Sequence, residues 1–149
     1  DAFKTALTLR HALVLQFKTS SQYQDLLAWL LATCPIEELR DGKRALELAV
    51  STTTAIPDSP QYSLTQGAAL LLQGEYAAAV AALEKSLKLR GQDEGLTLCL
   101  RSIAEAKLNQ PDLAQKSLAA AKIWQQTQKP ADEELATWIK RATDIVGSK

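Results

Sequence analysis

Apolar residues recur along this chain at helical spacing, and no segment shows the strict alternation of a half-buried strand. Tyr76, Val80, Leu83 and Leu87 fall on one stripe, while Glu84 and Lys88 form an outward pair four residues apart. The last stripe is the clearest, with Ala131, Leu135, Trp138, Ile139, Ala142, Ile145 and Val146 on one face. Pro130 suits its first turn, Asp132, Glu133 and Glu134 favour the positive end of the helix dipole, Lys140 and Arg141 fall in its second half, and Gly147 is a natural stop. Between stripes lie Pro35, Gly42, Pro57, Pro60, Gly74, Gly91, Gly95, Pro111 and Pro130, which break the helical pattern. The pattern predicts an all-α chain of eight helices, near 2–18, 21–34, 40–54, 60–73, 76–90, 93–108, 111–127 and 131–146. Connections this short make neighbouring helices antiparallel.

A longer period lies over the short one. The segments "GKRALELAVST", "EYAAAVAALEKSL" and "PDLAQKSLAAAKI" each carry an alanine followed by an apolar residue three or four positions on. Ala79 lies 34 residues after Ala45, and Ala114 lies 35 after Ala79, close to the roughly 34-residue period of helix-turn-helix repeats. Small residues at such positions let two helix backbones approach, and large ones fill what remains.

On these residues the chain resembles the tetratricopeptide repeat (TPR) family. The middle repeat fits best: Gly67 is the small residue of its first helix, Gly74, Glu75 and Tyr76 form its turn, and Ala79, Leu83 and Ser86 are the small, large and small positions of its second helix. In the third repeat Ser102, Asn109, Ala114, Leu118 and Ala121 take the same places. In the first, Ala28, Ala45, Ala49 and Thr52 do so across a lengthened turn, "TCPIEELRDGK". Ser63 stands where the family commonly has tryptophan, and Gln66 and Arg101 where it commonly has leucine.

The stretch "LAWLLATCPIEELRDGKRALELA" resembles a bacterial version of the domain, often appended to larger proteins such as Ser/Thr kinases. The resemblance implies an antiparallel helix-turn-helix solenoid, a right-handed superhelix forming one domain over 1–149. Within it, 1–20 is the second half of a preceding repeat, 21–55, 60–91 and 93–127 are three repeats, and 130–147 is a C-terminal capping helix. Repeats bury their faces only against neighbours, so the last one requires such a cap.

Composition narrows the function. The 149 residues suffice for one sizeable core, and 17 basic residues balance 17 acidic ones without a cluster that would select nucleic acid or a membrane surface. No apolar run approaches the roughly 18 residues needed to cross a bilayer, so we expect no membrane insertion by this fragment and a cytoplasmic location. The chain has no methionine and neither end resembles a signal peptide, which suggests that Asp1 is not where the encoded protein starts. Cys34 and Cys99, far apart in apolar surroundings, read as core thiols.

The only histidine, His11, has no visible catalytic partner, and metal-ligand spacings and phosphate-cradling glycine loops are absent from the sequence. Glu37/Glu38 lie in a turn-rich insertion and Glu133/Glu134 in a helix first turn, where acids favour the dipole. We therefore expect no enzyme activity, cofactor or metal.

The resemblance implies instead a binding surface for a protein or peptide, on the inner wall made by the first helix of each repeat. Its residues would be Gln22, Asp25, Trp29 and Thr33, then Gln61, Leu64, Ala68 and Leu71, then Cys99, Ile103 and Lys107. Positions where some TPR proteins carry a carboxylate-gripping clamp hold Asp25, Leu64, Ala68 and Cys99 here, so that clamp is missing. Trp29 is the natural aromatic anchor, or else a residue packed between helices. Two other readings stay open. The domain could be a spacer or self-association module acting through an exposed first-helix face of Phe3, Leu7, Val14 and Phe17, or it could recruit substrates or regulators for a multidomain enzyme such as a kinase.

Overall fold

Most helix starts in this protein are set by side-chain oxygens that accept the otherwise unbonded N–H groups of a first turn, although those at Tyr76 and Pro111 are not. Asp1, Ser20, Asp41 and Ser59 accept from Phe3, Tyr23, Arg44 and Tyr62, and Glu94 accepts from both Leu96 and Thr97. Asp132 does the same for Leu135 at 2.9 Å. The computed structural model describes residues 1–147 and contains, among them, eight α-helices and no strand. They are α1 (Ala2–Gln16), α2 (Ser21–Thr33), α3 (Gly42–Ala55), α4 (Pro60–Leu72), α5 (Tyr76–Arg90), α6 (Gly95–Lys107), α7 (Pro111–Gln128) and α8 (Glu133–Gly147). A short 3-10 helix, Glu37–Leu39, lies in the long turn between α2 and α3. No helix among the described residues is long and apolar enough to cross a membrane.

The caps also correct the predicted boundaries. Asp41, Glu94 and Asp132 stand outside the helices that the pattern began at 40, 93 and 131. Pro130 and Ala131 accordingly belong to the turn before α8, and Ala131 is exposed and does not join its buried stripe.

Each helix packs on the next, and α2, α4, α6 and α8 also touch one another in turn. From α3 onward, every odd-numbered helix contacts the two even-numbered helices that flank it in sequence. The central position of α6, against α4, α5, α7 and α8, explains why it is buried on nearly every side, from Gly95 and Thr97 through Glu105. One apolar cluster runs from Val14 of α1 to Val146 of α8.

The α4–α5 pair shows what the small residues do. A Cβ on Gly67 would lie 2.6 Å from Leu83 Cδ2 and 2.7 Å from its Cγ, and Leu83 is fully buried with nowhere to move. Nearby, the Ser86 hydroxyl donates to the Pro60 carbonyl at 2.7 Å. Overpacking at such a contact costs about 1–3 kcal/mol, and replacing a helical glycine returns about 1. Gly67→Ala should therefore lower stability by up to about 2 kcal/mol in urea unfolding. A variant about 1 kcal/mol more stable than the parent would show that the helices can part without cost.

Candidate functional site

The site begins with the way α8 is docked. Leu135, Trp138, Ile139, Ala142 and Val146 are buried in the common core, and α8 packs on α6 and α7. This placement brings its first turn to α2, where Trp29 Nε1–H donates to Glu134 Oε1 at 3.3 Å, across 105 positions of sequence.

Beside that bridge opens a cleft of about 740 Å³. Trp29, Leu30 and Thr33 of α2 line one side, Glu133, Glu134, Thr137, Trp138 and Arg141 of α8 another, and Phe3 and Arg10 of α1 a third. The turn after α2 contributes Pro35, Glu37 and Arg40. Arg40 holds this turn in shape: its Nε–H donates to the Cys34 carbonyl at 2.6 Å, and a terminal nitrogen lies 3.6 Å from Glu37. The Asp41 N–H donates to the Leu31 carbonyl, which ties the far end of the turn back onto α2.

The electrostatics of the cleft centre on Arg141, whose guanidinium lies 4.9 Å from the centroid of the Trp138 ring. Cation–π contact of this kind favours the charged form locally. Burial nevertheless lowers the Arg141 pKa, and nearby Arg40 lowers it further while Glu37 opposes both. Arg10 is engaged elsewhere, donating to the Leu26 carbonyl at 2.6 Å.

Two smaller clefts adjoin the first. One, of about 370 Å³, shares Trp29 and Glu134 with it and adds Gln61, Leu64, Arg90, Leu96 and Trp124. The other, of about 210 Å³, shares Thr33, Trp138 and Arg141 and adds Ala68, Leu71, Tyr76, Ile103 and Lys107. These three clefts share lining residues and together make up a trough whose walls come mainly from α2, α4, α6 and α8.

Of the residues expected on an inner wall, Trp29, Thr33, Gln61, Leu64, Ala68, Leu71, Ile103 and Lys107 line one or another of these clefts. Three do not line these clefts. Gln22 is exposed at the start of α2. Asp25 is buried in α2, facing Thr65 and Gln61 of α4, and no well-formed hydrogen bond reaches its Oδ1. Cys99 is fully buried, which pushes its thiol up to about 12, with Glu94 adding to the effect and Lys122 opposing it. Such a thiol is inert. Both cysteines are free and buried. His11 is exposed on α1, and no cluster of three or more His, Cys, Asp and Glu among the described residues could hold a metal ion.

The pattern of the chain did not single out Arg40, Trp138 or Arg141 as site residues. The lengthened turn "TCPIEELRDGK" was the available signal for Arg40, since side chains on loops held by a rigid scaffold often line clefts. Comparison with family models, with curated proteins and with solved structures finds no match to this chain.

Proposed function

We propose that this chain is a TPR-like solenoid, right-handed and closed by α8 as its cap, that works without catalysis by holding a segment of a partner protein in the trough between α2 and α8. Support for the repeat comes from the alanine register and from the close approach of Gly67 to Leu83. The observation that carries the binding role is the trough itself. Three clefts that share lining residues, with the half-buried Trp29 at the wall common to two of them, offer a partner segment several contacts side by side, one of them aromatic.

A random-peptide phage library selected on the chain tests this reading. Enriched peptides should bind at least tenfold more weakly to Trp29→Ala and to Leu71→Gln, and unchanged to Lys85→Glu on the exposed face of α5. Failure to enrich any peptide, or binding indifferent to both trough substitutions, would overturn it.

A second reading rests on α1. Leu7 and Val14 turn inward, whereas Leu9 and Leu15 are 60% and 70% exposed and Phe3 and Phe17 are also exposed. The exposed face is therefore not the set Phe3, Leu7, Val14 and Phe17 that the sequence suggested. Such a face could pair two copies of the chain. Sedimentation that showed dimers abolished by Leu15→Glu would favour self-association; monomers throughout the micromolar range would leave the trough reading alone.

A further inference from the structure

We propose that the cleft between α2 and α8 is a carboxylate subsite, in which Arg141, backed by Trp138, and Arg40 together grip one carboxylate of an acidic partner segment. The inference rests on the peptide-binding reading and names the chemistry that the trough would select. It uses none of the inner-wall positions at which a clamp was sought and found missing, because its two cations come from the lengthened turn and from α8.

The geometry supplies an anion site with unspent capacity. Arg141 is half-buried, is fixed over an indole, and has no ion-pair partner within 4.0 Å among the described residues. Arg40 commits Nε to the Cys34 carbonyl and one terminal nitrogen to the neighbourhood of Glu37, whose side chain is largely exposed and exchanges readily with water. A planar carboxylate matches the guanidinium fork, and the bond is charge-assisted on both sides. The mutual repulsion of the two guanidiniums, which contributes to the lowered Arg141 pKa, is relieved by an anion between them.

The rest of the lining sets the charge and the neighbour. Glu37, Glu133 and Glu134 balance Arg10, Arg40 and Arg141, so any anion is held by the two guanidiniums at short range and not by bulk charge, and a dianion meets more repulsion from the three acids than a single carboxylate does. Phe3, Leu30 and Pro35 offer an apolar wall for the side chain next to that carboxylate.

The test titrates the isotope-labelled chain with N-acetyltryptophan, which carries a free carboxylate beside an aromatic ring, and with N-acetyltryptophanamide, its uncharged counterpart. An N-acetyl-Phe-Glu-amide probe separates a side-chain carboxylate from a chain end, and phenyl phosphate supplies the dianion. At least one carboxylate probe should shift the Arg141 and Arg40 Nε–H and Trp138 Nε1–H signals and bind at least tenfold more tightly than the amide. Arg141→Gln should remove that preference. Thr137→Glu, an exposed change four residues before Arg141 that keeps the helix intact, should weaken the carboxylate probes at least fivefold by placing a competing acid in the cleft.

Equal binding of acid and amide, tighter binding of phenyl phosphate, or indifference to both substitutions would overturn the proposal. If library peptides bind the trough while no carboxylate probe does, this inference falls and the peptide-binding reading stands. If neither binds, both fall.

Discussion

Replacing Arg101 with leucine should cost about 3–5 kcal/mol of folding stability, read from the midpoint of urea unfolding, although leucine is the commoner residue at this position of the repeat it resembles. Glu105, one turn later on α6, is only 2% exposed. Its carboxylate survives there because Arg101 Nε–H donates to Oε1 at 2.8 Å and the Ser117 hydroxyl of α7 donates to Oε2 at 2.7 Å. Leucine leaves that charge with one neutral donor in a nearly dry site, and the uncompensated charge costs more than the added apolar contact contributes. Adding Glu105→Gln to Arg101→Leu removes the charge and keeps an acceptor for Ser117. The double variant should recover most of the loss, to within about 1–2 kcal/mol of the parent. A double variant no more stable than Arg101→Leu would show that Arg101 acts through something other than the Glu105 charge.

Asp25 should give an effect of the opposite sign. Burial raises its pKa from 3.8 to about 6, against the pull of Thr65 and Gln61, which favour the charged form. The folded chain then binds this proton more tightly than the unfolded chain does. Stability is greatest with Asp25 protonated and falls as pH rises from about 4 to about 6. Above that window the penalty is fully present, about 3 kcal/mol by proton linkage. Asp25→Asn should consequently stabilise the chain by about 2–3 kcal/mol at pH 7 to 8 and flatten the dependence of its unfolding free energy between pH 4 and 6. A variant that keeps the parent's slope across that window would place the titration on another group.

These two residues also show what a sequence conveys and what it conceals. Helix content was legible because spacing along one helix is local, and the small positions Gly67, Ala79 and Ser86 because the resemblance to a repeat marked them. Boundaries slipped at Asp41, Glu94 and Asp132, where several polar residues lie together and only the fold decides which oxygen reaches the free N–H groups. Arg101 looked like a departure from pattern. Its reason lies partly on another helix, in the Ser117 hydroxyl that shares the Glu105 carboxylate. The cleft was least legible of all. Trp29 meets Glu134 only after the crossing angles of all the intervening helices have accumulated, and no short stretch encodes that sum. Trp29 was expected either on a groove wall or between packed helices, whereas Arg141 gained meaning only once Arg40 and Trp138 stood near it.

The most direct test of the binding account is a map of amide chemical-shift changes on adding a library-selected peptide to the labelled chain. The account predicts that the changes concentrate on Trp29 to Arg40, on the trough-facing residues Ala68, Leu71 and Ile103, and on Glu133 to Arg141. Changes confined to the exposed faces of α3, α5 and α7, or to Leu9 and Leu15 of α1, would contradict it.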